Sequence, residues 1–243
     1  MPPTAGAAVG TAVHAAACQV LQDRIDSGRY GQPDAALELA LATFRTEVET
    51  GCEWDDTTPD RRSAEKQILR LTNAYCQHAR KHVDPWLVEQ HFTADVGDGF
   101  ELSGHVDVIT MDAGVRDLKT GALPRPYQAQ VGGYSLLARS QAQPIQIQAL
   151  SIDFLRRAPK TKPQDPPQIE RYDLSESEAA ARATVQRMKA DLELFRRTGD
   201  PWSFPCNPLS MMCASDRYCP ARNTGFCKFG TSHERGDNDT PSY

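Results

Sequence analysis

Asp107, Asp117 and Lys119 fall in two short segments, Gly104-His105-Val106-Asp107-Val108-Ile109 and Val115-Arg116-Asp117-Leu118-Lys119-Thr120-Gly121. Between them lies Asp112-Ala113-Gly114, which is turn chemistry. If the segments pair as a hairpin about Asp112, residues whose numbers sum to about 224 face one another, which sets Asp107 opposite Asp117. Strand alternation then puts Lys119 on the face of Asp117. Two carboxylates a few ångströms apart repel, and a divalent cation between them removes that penalty. Oxygen ligands with room for water suit Mg²⁺ or Mn²⁺, which lower the pKa of water and stabilise the charge that develops during attack on a phosphodiester. Lys119 would orient or help deprotonate that water and offset phosphate charge. A solvated hairpin with scattered charges is the alternative that these three residues alone leave open.

A second group is Cys206, Cys213, Cys219 and Cys227, four thiols within 22 residues, with six, five and seven residues between successive members. Pro205, Asn207, Pro208, Pro220 and Gly225 share the segment, so few apolar side chains hold it, and a bound metal is a sensible staple. The spacing is not the paired two-residue spacing of a zinc ribbon.

The elements that must position these groups follow from periodicity. Val9, Val13, Ala16, Val20 and Leu21 recur at helical spacing over residues 8–26, with Gly28 beyond the last turn, and this helix carries His14. Helices are predicted at 33–50 and 60–82. Short segments at 87–96, 100–110 and 114–118, punctuated by Gly97-Asp98-Gly99 and Asp112-Ala113-Gly114, read as a three-strand antiparallel meander. A helix over 127–140, a strand over 145–155 and a helix over 175–197 follow, the last opened by Ser175 with Glu178 as a capping box. The proline-rich stretch 159–167 reads as a solvated loop, and 231–243 as a disordered polar tail.

The chain has 243 residues, 40% hydrophobic and 24% charged, with a net charge of -5, so it bounds one large domain and excludes bulk coating of nucleic acid by positive charge. No apolar run approaches the roughly 18 residues that read as a membrane span. Seven cysteines is an odd count, and the N-terminus lacks the basic residues of a signal peptide, so a reducing, cytoplasmic setting is expected. The densest positive stretch is Arg156, Arg157, Lys160 and Lys162, a candidate DNA-contact patch. No base-reading motif accompanies it, so cleavage insensitive to sequence is expected.

Taken together, Gly10-x-x-x-His14, the Asp107 of GHVDV, DLKTG at 117–121 and the Gln130-x-x-x-Tyr134 of QVGGY resemble the PD-(D/E)XK nuclease superfamily. More narrowly they are similar to its RecB-type exonuclease branch, which includes the AddB nuclease domain, CRISPR-adaptation Cas nucleases and phage exonucleases. The motifs stand in the family's order across about residues 8–155. The resemblance implies an α/β fold with a restriction-endonuclease-like core of helix, three-strand meander, helix and strand. To this core, over 87–155, the chain adds a helical insertion over 33–82 and a cysteine-rich metal-binding segment over 205–229, within one nuclease domain over 1–230.

By the same resemblance His14, Asp107 and Asp117 are metal ligands for Mg²⁺ or Mn²⁺, and Asp107, Asp117 and Lys119 are catalytic. Gln130 and Tyr134 lie beside the site and contact DNA, joined by Arg156 and Arg157 of the basic patch. Glu89, on the first strand, is read as a solvated glutamate with at most an outer-sphere role. The branch commonly carries a [4Fe-4S] cluster on three C-terminal cysteines and one that precedes the helix-one motif. No cysteine precedes Gly10 here, so Cys206, Cys213, Cys219 and Cys227 would form a self-contained site for iron–sulfur or, alternatively, Zn²⁺. Cys18 is the other candidate for the fourth ligand in place of Cys206, but its position one turn after His14 points it towards the nuclease site or the core.

The activity implied is a metal-dependent deoxyribonuclease, an exonuclease acting in DNA recombination, repair or phage DNA processing, in a bacterial cell or a phage-infected host. A structure-specific or single-strand endonuclease, or a nonenzymatic DNA-end-binding adaptor, are the competing readings. A single-strand annealing protein or a helicase is the partner the family would suggest, since no phosphate-loop helicase motif is present.

Overall fold

The computed structural model describes residues 2–159, 162–200 and 203. The chain divides into two compact units, Pro2–Ala183 and a second over Thr184–Tyr243. Of the second, the described part is the C-terminal half of a helix, where Arg187 pairs with Asp191 at 3.5 Å, and the turn in which the Thr198 hydroxyl accepts the Asp200 amide. Cys206, Cys213, Cys219 and Cys227 lie outside the described residues, as do Lys160 and the polar tail.

Helix α1 (Ala5–Ser27) is capped by the Thr4 hydroxyl, which accepts the Ala7 amide, and ends at Gly28 in the left-handed conformation. Its buried face is almost entirely alanine and valine, Ala5, Ala8, Val9, Ala12, Val13, Ala16, Ala17 and Val20. Such small side chains let α2 (Pro33–Glu47) and α3 (Arg61–Ala74) approach closely, around Phe44, Ile68 and Leu71. α3 is capped by Asp60 and continues through a π turn at Tyr75–Ala79 and a 3₁₀ turn at Arg80–His82. The helix predicted over 60–82 is therefore one continuous rod whose hydrogen bonding changes twice before it ends.

Five strands follow, β1 (Pro85–Asp95), β2 (Glu101–Thr110), β3 (Gly114–Gly121), β4 (Ala149–Arg156) and β5 (Gln168–Tyr172), in spatial order β1-β2-β3-β4-β5. β4 runs parallel to β3 and every other neighbouring pair is antiparallel. The parallel step needs a crossover, which α4 (Gln128–Arg139) supplies. α4 packs Val131, Leu137 and Ala138 with Val106, Val115, Ile152 and Phe154, while Leu155 joins the α1–α3 core, so adjacent β4 residues serve two different cores. This is the expected helix, meander, helix, strand order. Among the described residues no helix is long and apolar enough to cross a membrane.

Three expectations are corrected. The strand predicted from 145 begins at Ala149, because the Ile145 amide bonds back to Ala138 at the end of α4, and the Gln148 amide reaches Ala113 across the sheet. β5 is an additional strand, half-exposed along its length. α5 (Leu174–Thr198) is capped by Asp173, whose carboxylate accepts the Glu176 amide, and Ser175 does not form the capping box. Glu178 instead turns inward to Ser135, Arg139 and Arg182. Gly132 permits that crossing of α5 on α4, since a Cβ there would lie 1.9 Å from the Ser177 carbonyl oxygen.

Candidate active site

β2 and β3 pair at Val108 with Arg116 and at Ile109 with Val115, a register in which partner numbers sum to 224. Beyond those two pairs the ladder stops, and the Asp107 carboxylate takes the Leu118 amide at 2.9 Å. The strands fork at this point, and side chains from both helical layers meet in the fork.

From α1 comes His14. Gly10 stands one turn before it, and a Cβ there would sit 3.1 Å from the Thr120 hydroxyl, so glycine lets α1 lie close on β3. The His14 Nε2 then lies 2.8 Å from Asp107 Oδ2 and 3.4 Å from Glu89 Oε1. Burial lowers the imidazole pKa, but the hydrogen bond to Asp107 and the charges of Asp107, Glu89 and Asp117 outweigh it and hold His14 above its usual value.

β3 supplies Asp117, which is wholly buried. Lys119 donates to Asp117 Oδ1 at 2.9 Å, and its ammonium lies 2.7 Å from Oδ2. Both oxygens of this buried carboxylate therefore rest against a single ammonium, with no backbone amide or hydroxyl among the described residues donating to Oδ2. Burial and then the neighbouring Asp107 charge push the Asp117 carboxyl up to about 7, against the pull of Lys119 and His14. A buried acidic pair with an adjacent imidazole is a donor set that fits a hard divalent cation, which His14, Asp107 and Asp117 could hold.

α4 contributes Gln130, which donates to the Tyr134 hydroxyl at 2.7 Å and lies 3.4 Å from Asp117 Oδ1. Burial, then the Asp117 charge, raises the Tyr134 phenol, so it stays protonated. The Lys119 ammonium also sits 5.6 Å from the Tyr127 ring centroid, a contact that holds the long side chain over the site. His14, Asp107, Asp117, Lys119, Gln130 and Tyr134 are thus brought to one locus from four elements of the chain, α1, β2, β3 and α4.

Arg156 and Arg157 stand apart from it, at the end of β4, where the Arg157 amide bonds to Gly121 at the end of β3. They line a groove of about 1100 Å³ together with Arg62, Lys66, Arg70 and Lys162. The positive stretch in the sequence therefore has a second bank, formed by α3.

Two features lay beyond sequence reasoning. Glu89 is exposed, yet it does not simply face water: its backbone is left-handed, with φ 52°, in mid-strand where it would otherwise pair with Asp107, and its carboxylate reaches both His14 and the Cys18 thiol. Behind the site, Asp153 and Arg116 form a bidentate pair, with Arg116 Nε 3.0 Å from Asp153 Oδ2. Burial keeps the Asp153 carboxyl above its usual range despite that arginine. A lone aspartate in the apolar run Ser151-Ile152-Asp153-Phe154-Leu155 was the signal for it.

Comparison with known proteins bears on the same stretch of chain. The model of the PD-(D/E)XK nuclease superfamily matches residues 2–224. Among solved structures, the crystal structure of a "Putative exonuclease" from Eubacterium rectale superposes with a TM-score of 0.52 at 13% identity, covering 82% of this chain and 73% of that one. At that identity the likeness concerns the fold. No curated protein matches the sequence.

Proposed function

The chain belongs to the PD-(D/E)XK nuclease superfamily, and from that premise we propose that it is a Mg²⁺- or Mn²⁺-dependent DNA exonuclease of RecB type, hydrolysing phosphodiester bonds without sequence specificity. The observation that carries the reading is the convergence of two buried carboxylates, Asp107 and Asp117, with the His14 imidazole on one and the Lys119 ammonium on the other. A divalent cation held by His14, Asp107 and Asp117 would supply Lewis acidity towards the phosphate and acidify water at the site.

The protein's own groups do the rest. Lys119 is held by Asp117 and Tyr127, and on DNA binding its ammonium is free to turn from Asp117 to a phosphate oxygen or to the attacking water. Asp107, fixed by the Leu118 amide and His14, keeps its carboxylate in one orientation. Gln130 and Tyr134 present an amide and a protonated phenol at the mouth of the site, groups suited to phosphate and sugar oxygens. The groove with Arg156, Arg157, Arg62 and Lys66 carries the strand away from the fork by phosphate contacts, which position DNA without reading it. Cys206, Cys213, Cys219 and Cys227 would staple the C-terminal segment with a [4Fe-4S] cluster or Zn²⁺, and a single-strand annealing protein or a helicase would be the natural partner.

The test is cleavage of end-labelled linear DNA beside a closed single-stranded circle, with Mn²⁺ or with EDTA, for the wild type and Lys119→Ala. Loss of the linear substrate alone, abolished by EDTA and by the substitution, is the expected result. Cutting of the circle would replace exonuclease by endonuclease, and no cleavage with Mn²⁺, or with Mg²⁺ in its place, would point to a DNA-end-binding adaptor.

A further inference from the structure

Cys18, His14 and Glu89 place one sulfur, one imidazole nitrogen and one carboxylate oxygen within 4.8 Å of one another. The individual separations are 3.2 Å from Cys18 Sγ to Glu89 Oε1, 3.4 Å from His14 Nε2 to Glu89 Oε1, and 3.8 to 4.0 Å from Sγ to the two imidazole nitrogens. In a tetrahedral site with bonds of roughly 2.0 to 2.3 Å, neighbouring ligand atoms lie about 3.3 to 3.8 Å apart. With Nε2 as the imidazole donor the three separations, 3.2, 3.4 and 4.0 Å, bracket that range and need shifts of only a few tenths of an ångström to meet it, and Asp107 Oδ2, 2.8 Å from His14 Nε2, stands beside them as a fourth donor atom.

We propose that Cys18, His14 and Glu89 form a second metal site on the rim of the fork, selective for a thiophilic d¹⁰ divalent cation of the Zn²⁺ class. Selectivity follows from ligand softness, since a thiolate and an imidazole favour such an ion whereas the oxygen-rich side of the fork suits Mg²⁺ or Mn²⁺. On binding, a metal–sulfur bond forms as the Cys18 S–H bond breaks, and the proton leaves to solvent. The left-handed backbone at Glu89 turns its carboxylate to the thiol and the imidazole together. Both sites draw on His14, so a thiophilic ion withdraws that imidazole from the Asp107–Asp117 side and stops cleavage. That inhibitory consequence rests on the nuclease reading, whereas the binding itself does not.

The experiment uses the full-length chain and follows modification of Cys18 by N-ethylmaleimide, read by mass spectrometry of the peptide that contains it, so the tail thiols do not enter. Saturating Zn²⁺ is expected to slow Cys18 labelling at least about tenfold, because a bound ion blocks the thiol in proportion to its occupancy, while Mg²⁺ leaves the rate unchanged. In Glu89→Gln the protection should need more Zn²⁺. Equal labelling with and without Zn²⁺, or equal protection by Zn²⁺ and Mg²⁺, overturns the site. Cleavage supported by Mg²⁺ should fall along the same Zn²⁺ titration, and cleavage that persists once Cys18 is protected overturns the inhibition. A chain that cleaves with neither Mg²⁺ nor Mn²⁺ overturns the nuclease reading alone, with the labelling result standing.

Discussion

The Asp107 carboxylate accepts the backbone amide of Leu118 at 2.9 Å, doing for β3 what a backbone carbonyl of β2 would do in an unbroken ladder. One side chain therefore ends the strand pairing, closes the fork and holds its own orientation. Because an amide oxygen accepts the same hydrogen bond, Asp107→Asn isolates the charge from the scaffold.

Asp107→Asn is expected to fold normally, to lower Mn²⁺ affinity at least about tenfold and to reduce cleavage by about 10²-fold or more, as loss of a charged ligand does. Calorimetric titration with Mn²⁺ checks it. Unchanged affinity would remove Asp107 from the ligand set.

Lys119→Ala removes the group nearest both Asp117 oxygens while leaving the two carboxylates and His14 in place. Cleavage should drop by roughly 10²- to 10⁴-fold, the range for a positioned proton-transfer or charge-stabilising group. DNA affinity measured with Ca²⁺ in place of Mn²⁺ should stay within a few-fold of wild type.

Metal binding and protons are linked at Asp117, whose carboxyl is pushed up to about 7 by burial and by Asp107. Below that pH the carboxyl is protonated and an incoming cation must displace the proton, so Mn²⁺ affinity should rise with pH through neutrality and level off above it. His14, also held above its ordinary value, acts in the same direction. Calorimetry at pH 7 in two buffers of different ionisation heat should show proton release, and buffer-independent heats would contradict the linkage.

Gly132→Ala tests the α4–α5 crossing rather than the chemistry, because the new methyl would meet the Ser177 main chain, which has no rotamer by which to move away. A loss of about 3 kcal/mol is expected from such overpacking, read by thermal or urea unfolding.

Arg62→Ala combined with Lys66→Ala should weaken DNA binding to a similar degree for every sequence and lower the slope of log affinity against log salt by about two, one for each phosphate left without its cationic partner. Filter binding across a salt series measures it. An unchanged slope would mean that the strand leaves the fork by another route.

The sequence made the central geometry legible because strand registers are arithmetic. A turn at Asp112 leads to pairs summing to 224, and the pairs Val108–Arg116 and Ile109–Val115 obey it. Helix α1 was readable for a similar reason, its alanine and valine stripe giving the 3.6-residue period directly. What escaped was whatever depends on a single backbone angle or on a distant partner. Glu89 looks like any strand glutamate until its left-handed φ is known. β5 alternates too little to announce itself, since both its faces are partly wet. Asp173 and Ser175 are both good helix caps, and the choice between them is made by Glu178, which is drawn inward by Ser135 and Arg139 of another helix.

The backbone at Glu89 sets resilience against purpose. A non-glycine residue held left-handed within a strand costs on the order of 1 to 3 kcal/mol, a sum that a glycine there would recover. Selection of variants for heat resistance alone should therefore converge on Glu89→Gly, and those survivors would have given up the carboxylate that faces His14 and Cys18. Position 89 is thus where thermostabilisation and the chemistry of this fold part company.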